Sequence, residues 1–224
     1  MKKFLISVFI LISATVFSEE DVQKENQYIV RLVHGEGSYS TLATLLSLEE
    51  NDHDQQDSTL DGIQLEKYIY KDLLNNSLDF TLFSSFFYHS QDIKNPNGSY
   101  TSPITLSGED TFQINGGIKA YWKKFPWSKW VRTRVGVGEG LSYVYEKLDL
   151  EIQNSNRKDK KSDSYILDYL DFTVAFNLRD ITRWDVLENY YAGMGISHRS
   201  GIFGAINGVN GGSNFYTFFL EAEF

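Results

Sequence analysis

Between Thr111 and Trp122, "TFQINGGIKAYW", apolar and polar residues take turns. Phe112, Ile114, Gly116, Ile118, Ala120 and Trp122 fall on one face, and Thr111, Gln113, Asn115, Gly117, Lys119 and Tyr121 on the other. Successive side chains of a strand point to opposite faces, so this period of two predicts a strand with one apolar and one polar side. Similar alternation predicts strands near 27–37, 60–71, 78–90, 110–122, 130–146, 163–178, 186–200 and 214–224. The count is even, and the last segment, "NFYTFFLEAEF", ends on the final residue.

The links between these segments sort by length. "SLEENDHDQQDST", "QDIKNPNGSYTSPITLSGE" and "KLDLEIQNSNRKDKKSD" are long and polar; "LLNNS", "KKFPWSK" and "RDITRWD" are short. Long and short connections alternating along an even number of strands predict an all-β fold, an eight-stranded antiparallel outer-membrane β-barrel with an up-and-down meander. Aromatic residues change the picture in the same direction. They form 15% of the chain. Trp122, Trp127, Trp130 and Trp184 fall at the short-link ends, while Tyr88, Tyr143, Tyr145, Tyr165 and Tyr169 fall toward the other. Two girdles of this kind mark the two membrane interfaces.

The first 18 residues, "MKKFLISVFILISATVFS", place two lysines before an apolar run and end on small residues. They predict a cleaved secretory signal peptide, leaving residues 19–224 as one barrel domain in the bacterial cell outer membrane. Losing Lys2 and Lys3 takes the net charge from −9 to −11. Such an acidic chain lacks the basic surface that nucleic acid demands, so no nucleic-acid partner is expected. There is no cysteine, which removes disulfides and thiolate metal sites. His34, His53 and His89 lack ligand spacing, so no metal is assigned and no cofactor is implied. "NDHDQQD" lacks the spacing of a calcium loop. In "GVGEG", Gly136, Gly138 and Gly140 alternate on the predicted inner face. They are expected to make room opposite Arg132 and Arg134.

One short stretch carries candidate chemistry. In "YYAGMGISHRS", Tyr190, Ala192, Met194, Ile196, His198 and Ser200 share the apolar row, while Arg199 falls on the opposite one. His198 and Ser200 therefore emerge together on the lipid side, at the end of a strand running outward. A serine hydroxyl needs a base to take its proton, and a histidine two residues away on the same face supplies one. Asp168, in "YILDYLDFTVAFNL", and Glu139, among Val135, Val137, Leu141 and Tyr143, also fall on lipid-facing rows. A carboxylate in such a wall is costly unless paired. Each is a candidate to orient His198, with Asp168 favoured as one strand away rather than two. The glycines of the Gly201–Asn214 segment are candidates to bring backbone N–H groups to Ser200 as an oxyanion hole.

"HRS" on the penultimate strand of a signal-bearing eight-stranded barrel resembles the outer-membrane lipid A deacylases, the acyloxyacyl hydrolase-like barrels. "FPWSKWVRTRVGVGEGLSY" and "HRSGIFGAINGVNGGSNF" resemble bacterial envelope proteins related to that family. The resemblance implies a serine esterase that removes an ester-linked acyl chain from lipid A (lipopolysaccharide) at the outer leaflet, with His198 as base and Ser200 as nucleophile. It also implies that the C-terminal strand is read by the barrel assembly machinery. The family places an acid shortly after the serine, whereas Gly201 to Phe215 contains no Asp or Glu. The alternative expectation is a non-catalytic small barrel, structural or partner-binding through its extracellular loops.

Overall fold

A computed structural model describes residues 26–38, 40, 42, 55–91, 108–158, 163–202 and 204–224. The predicted signal peptide, His53 and most of the first two long loops lie outside the described residues. Eight antiparallel strands close on themselves in sequence order: β1 (Tyr28–Ser38), β2 (Gln55–Asp72), β3 (Leu78–Gln91), β4 (Thr111–Trp122), β5 (Thr133–Val144), β6 (Ile166–Asn177), β7 (Tyr190–Ser200) and β8 (Gly212–Glu223). β1 pairs with both β2 and β8, so no edge is left open.

The pairing fixes the geometry of the cylinder. Stepping across paired residues from Phe112, through Tyr88, Asp61, His34, Phe218, Met194, Val174 and Val135, the path returns to β4 at Trp122, ten residues from its start. A stagger of ten over eight strands corresponds to a strand tilt of about 40°. Ten residues rising about 3.3 Å each at that tilt span about 25 Å along the barrel axis, the height of an outer-membrane apolar band. Phe112 and Trp122 thus sit at the two rims. Leu82, Phe86, Ile114, Ile118, Val137, Leu141, Met194, Phe218 and Leu220 cover the outer face between them, all exposed. Phe86 and Tyr88 lie 5.3 and 5.4 Å from the Phe112 ring at the upper rim. Trp122, Trp127, Trp130 and Trp184 are exposed at the lower.

The alternate row turns inward and is polar and charged. Arg31 donates to Glu221 (2.9 Å), Asp171 (3.2 Å) and the Tyr121 hydroxyl (2.7 Å), and pairs with Glu66 at 3.3 Å. Lys119 pairs with Asp171, and Arg134 with Glu221 and Glu223. The lower mouth is a polar cavity of about 720 Å³ lined by Tyr68, Lys71, Asp79, Lys123, Arg134 and Glu223. Farther in, a void of about 10 Å³ lies beside Arg31 and Asp171.

Several details depart from the sequence pattern. Tyr169 is buried in the lumen near Phe83 and Phe87, because its odd position puts it on the inner row rather than in the girdle. Gly136 makes room for Lys119, whose Cε lies 2.5 Å from where a Cβ would stand. Arg132 lies before β5 and turns to the lower loop instead. The long link "KLDLEIQNSNRKDKKSD" contains a helix, α1 (Asp149–Lys158). Leu148 and Leu150 are fully buried and join Leu60, Phe87, Val144 and Phe215 in one core cluster. The helix start is thereby anchored to the inner wall at the upper end.

At the lower end, Asn177 caps the short helix α2 (Leu178–Thr182) by accepting from the Asp180 N–H. Arg132 donates to Asp180 through its backbone N–H (2.8 Å) and Nε (2.9 Å), and to Glu188 at 2.6 Å. These hydrogen bonds from Arg132 hold the Asp180 carboxyl below its ordinary range. A depressed carboxyl pKa contributes stability above the unfolded value and loses it as pH falls through the folded one. Asp180→Asn is expected to lower stability at pH 7 by about 0.5–1 kcal/mol, a figure discounted for partial exposure. The difference should shrink as pH falls below the ordinary aspartate value, about pH 4, toward the lower folded one. Urea unfolding in detergent micelles at pH 7 and pH 3 checks this; an equal difference at both pH values would contradict it.

Candidate functional site

Strand β7 carries His198 and Ser200 outward and Arg199 inward, as alternation requires. Arg199 is buried, while His198 and Ser200 are half-exposed. β7 pairs His198 with Asn214 and Ser200 with Gly212 on β8, and Leu170 and Asp168 with the same two residues on β6. The outer row therefore brings Asp168, Ser200, His198 and Asn214 together over three strands, with Asp168 and Asn214 themselves buried.

With a tilt of about 40°, Ser200 stands level with Phe112, Asn214 and Asp168 about 2–3 Å lower, and His198 about 5 Å lower. All four thus lie at the upper interface of the band, where lipid ester groups sit against the aromatic girdle. Glu139 is exposed on the same face but about 12 Å below Phe112, near the middle of the band. It pairs with Leu170, which separates it from His198.

His198 is oriented by the Asn214 side chain, with the Ser213 backbone as a second hydrogen-bond partner. His198 Nδ1 lies 2.6 Å from Asn214 Oδ1, and Asn214 Nδ2 donates to the Ser40 carbonyl at 2.6 Å. A carbonyl oxygen only accepts, so the Asn214 amide nitrogen must face Ser40 and its oxygen must face His198. The proton in that bond then belongs to Nδ1, which leaves Nε2 with a lone pair. That is the tautomer a general base needs. Among the described residues, no hydrogen bond joins His198 to Asp168, Glu139 or Ser200. The Ser200 hydroxyl oxygen instead accepts from the Ile202 N–H at 3.1 Å.

The glycine-rich segment after Ser200 folds tightly on itself. The N–H groups of Gly201, Gly204, Ala205, Ile206 and Val209 are bonded to carbonyls within Gly201–Gly211, so they do not form the expected oxyanion hole. Among the described residues, Ile202 supplies the one backbone donor to the Ser200 hydroxyl. Gly201 is needed for close approach, because a Cβ there would stand 2.1 Å from the Val209 carbonyl oxygen. Gly212, directly across from Ser200, would bring a Cβ within 1.7 Å of the Arg199 carbonyl oxygen.

Asn214 and Ser40 escape a search for acidic residues. The usable signal was the row of β8, which sets Asn214 on the same outer face as Tyr216 and Phe218. A histidine paired with a carboxylate does exist on the outer wall, but it is His34, 2.8 Å from Asp61. Its neighbours in the row, Leu32, Glu36 and Phe218, include no serine.

No protein-family model and no curated protein matches the chain. Among solved structures, Neisserial surface protein A (NspA) aligns over 88% of this chain and 96% of its own, at 15% identity and a TM-score of 0.44. Ail, the attachment invasion locus protein of Yersinia pestis, solved with the heparin analogue sucrose octasulfate, covers 89% and 97% at 10% identity and 0.37. The transport unit of the autotransporter AIDA-I from Escherichia coli covers 98% and 97% at 12% identity and 0.31. The closed register and apolar outer band decide the class. The chain is a small outer-membrane β-barrel.

Proposed function

We propose that this barrel is a serine esterase that removes an ester-linked acyl chain from lipid A in the outer leaflet. The observation that carries the reading is the Ser40–Asn214–His198 chain of hydrogen bonds, which fixes an imidazole with Nε2 unprotonated two residues from a serine on the lipid-facing wall. In this mechanism Nε2 takes the Ser200 hydroxyl proton as Oγ attacks the ester carbonyl carbon. The tetrahedral intermediate collapses, the acyl–oxygen bond to the sugar breaks, and Nε2 returns the proton to the departing alcohol. Water then attacks the acyl-serine by the same route, releasing the fatty acid and restoring Ser200. Asn214 holds the tautomer but brings no charge to the imidazolium. Asp168 stands across from Ser200, with Glu139 deeper on the same wall, and among the described residues neither is hydrogen-bonded to His198.

A second reading, a non-catalytic barrel acting through its extracellular loops, is favoured by one observation. The Ser200 hydroxyl is engaged by Ile202 rather than by His198. Mass spectrometry of lipid A separates the two. Cells carrying the native barrel are expected to yield lipid A lighter by one acyl chain, and cells carrying the inserted His198→Ala/Ser200→Ala barrel to yield the full set. Identical lipid A from both would sink the esterase reading.

A further inference from the structure

The wall is one residue thick, and the inner face behind the proposed site is clamped. Glu151 of α1 accepts from Arg199 Nη1 at 2.5 Å and from Ser213 Oγ at 2.8 Å. Asn154, one turn farther along α1, donates to the Gly212 carbonyl at 3.1 Å. Arg199 is held further by Ser142 Oγ at 2.9 Å and the Ser164 carbonyl at 3.0 Å. Arg199 stands between His198 and Ser200, Ser213 immediately precedes Asn214, and Gly212 faces Ser200. The helix thus touches β7 and β8 from the inner side, behind His198, Ser200 and Asn214.

From this juxtaposition we infer that Glu151 is a positioning residue for the His198–Asn214 pair, acting through Arg199 and Ser213. The inference rests on the esterase reading for its kinetic consequence, but not for its structural one. Arg199 and Ser213 are a cross-strand pair, and His198 with Asn214 is the next pair down the ladder. One carboxylate oxygen bridging the first pair fixes the spacing of β7 and β8 close to the point where both leave the sheet. Without it, the last pairs, Ser200 with Gly212 and Arg199 with Ser213, are free to fray. The 2.6 Å bond between His198 and Asn214 then no longer holds one tautomer. Both Glu151 and Arg199 are almost wholly excluded from water, at 0% and 1% exposure. Breaking the bridge is therefore not compensated by solvent.

Glu151→Gln keeps the side-chain shape while removing the charge. In micelles, with a short-chain p-nitrophenyl ester as probe, it is expected to lower kcat on the order of ten- to a hundredfold while KM stays within about twofold. The ¹⁵N spectrum of His198, assigned as the signal lost in His198→Gln, should change from a single Nδ1–H tautomer to a mixture. Asn154→Leu, which removes only the Gly212 contact, should give a smaller change of the same kind if the charge variant fails to fold. A folded Glu151→Gln or Asn154→Leu barrel with native kcat and a single Nδ1–H tautomer would overturn the inference. A native barrel without turnover, whose His198 tautomer still mixes in Glu151→Gln, would sink the esterase reading and leave the clamp standing.

Discussion

Ser200→Ala and His198→Ala are each expected to reduce ester turnover by about three to four orders of magnitude, and the double variant by little more. A nucleophile and its base act as one unit, so removing either removes the route. Asn214→Ala should cost less, about ten- to a hundredfold, because the imidazole then loses its orientation but not its chemistry. Asn214→Asp is not a simple gain. It would place a charge beside the imidazolium but set a carboxylate oxygen against the Ser40 carbonyl that the amide now satisfies. Fluorogenic-ester kinetics on all five variants in micelles, with folding checked by gel mobility before and after heating, test this order. A Ser200→Ala barrel as active as the native one would remove Ser200 from the mechanism.

Arg31→Met is expected to destabilise the barrel by about 3–5 kcal/mol, the cost of breaking a buried pair by removing one partner. Arg31 is 1% exposed and contacts Glu66, Asp171 and Glu221. Among the described residues, only Lys119 and Arg134 then remain to balance these three carboxylates together with Glu223. Methionine fills much of the guanidinium stem against the Phe219 ring, now 4.4 Å from the Arg31 Cζ, so the loss reports charge more than volume. Adding Glu66→Gln to Arg31→Met should recover part of it. Urea midpoints in detergent micelles measure both, and an unchanged midpoint for Arg31→Met would show that the network contributes no net stability.

The barrel was legible because its signal is local and repeated. Alternation in Thr111–Trp122 and Tyr190–Ser200 sets each residue on a face without knowledge of any other strand, and the placement of His198, Ser200, Asp168 and Glu139 on the outer row follows from it. Helix α1 was not legible, since Leu148 and Leu150 find their partners on four other segments of the chain. The orienting residue was missed for a different reason. A search for a charge passes over Asn214, whose role depends on the amide being turned by Ser40 from beyond another strand. Depth was also hidden: Glu139 and Asp168 both fall on outer rows in sequence, yet the strand tilt separates them by about 8 Å along the barrel axis.

The division of the strands between an inner row that holds the charged network and an outer, mainly apolar row also bears on how the chain assembles. A slip of one residue in any pairing exchanges the two rows. Arg31, Glu66, Lys119, Asp171 or Glu221 would then be driven into hydrocarbon while Phe218, Ile118 or Leu65 crowded the centre. Mispaired intermediates are thus rejected by the bilayer itself, which proofreads the register as the cylinder closes.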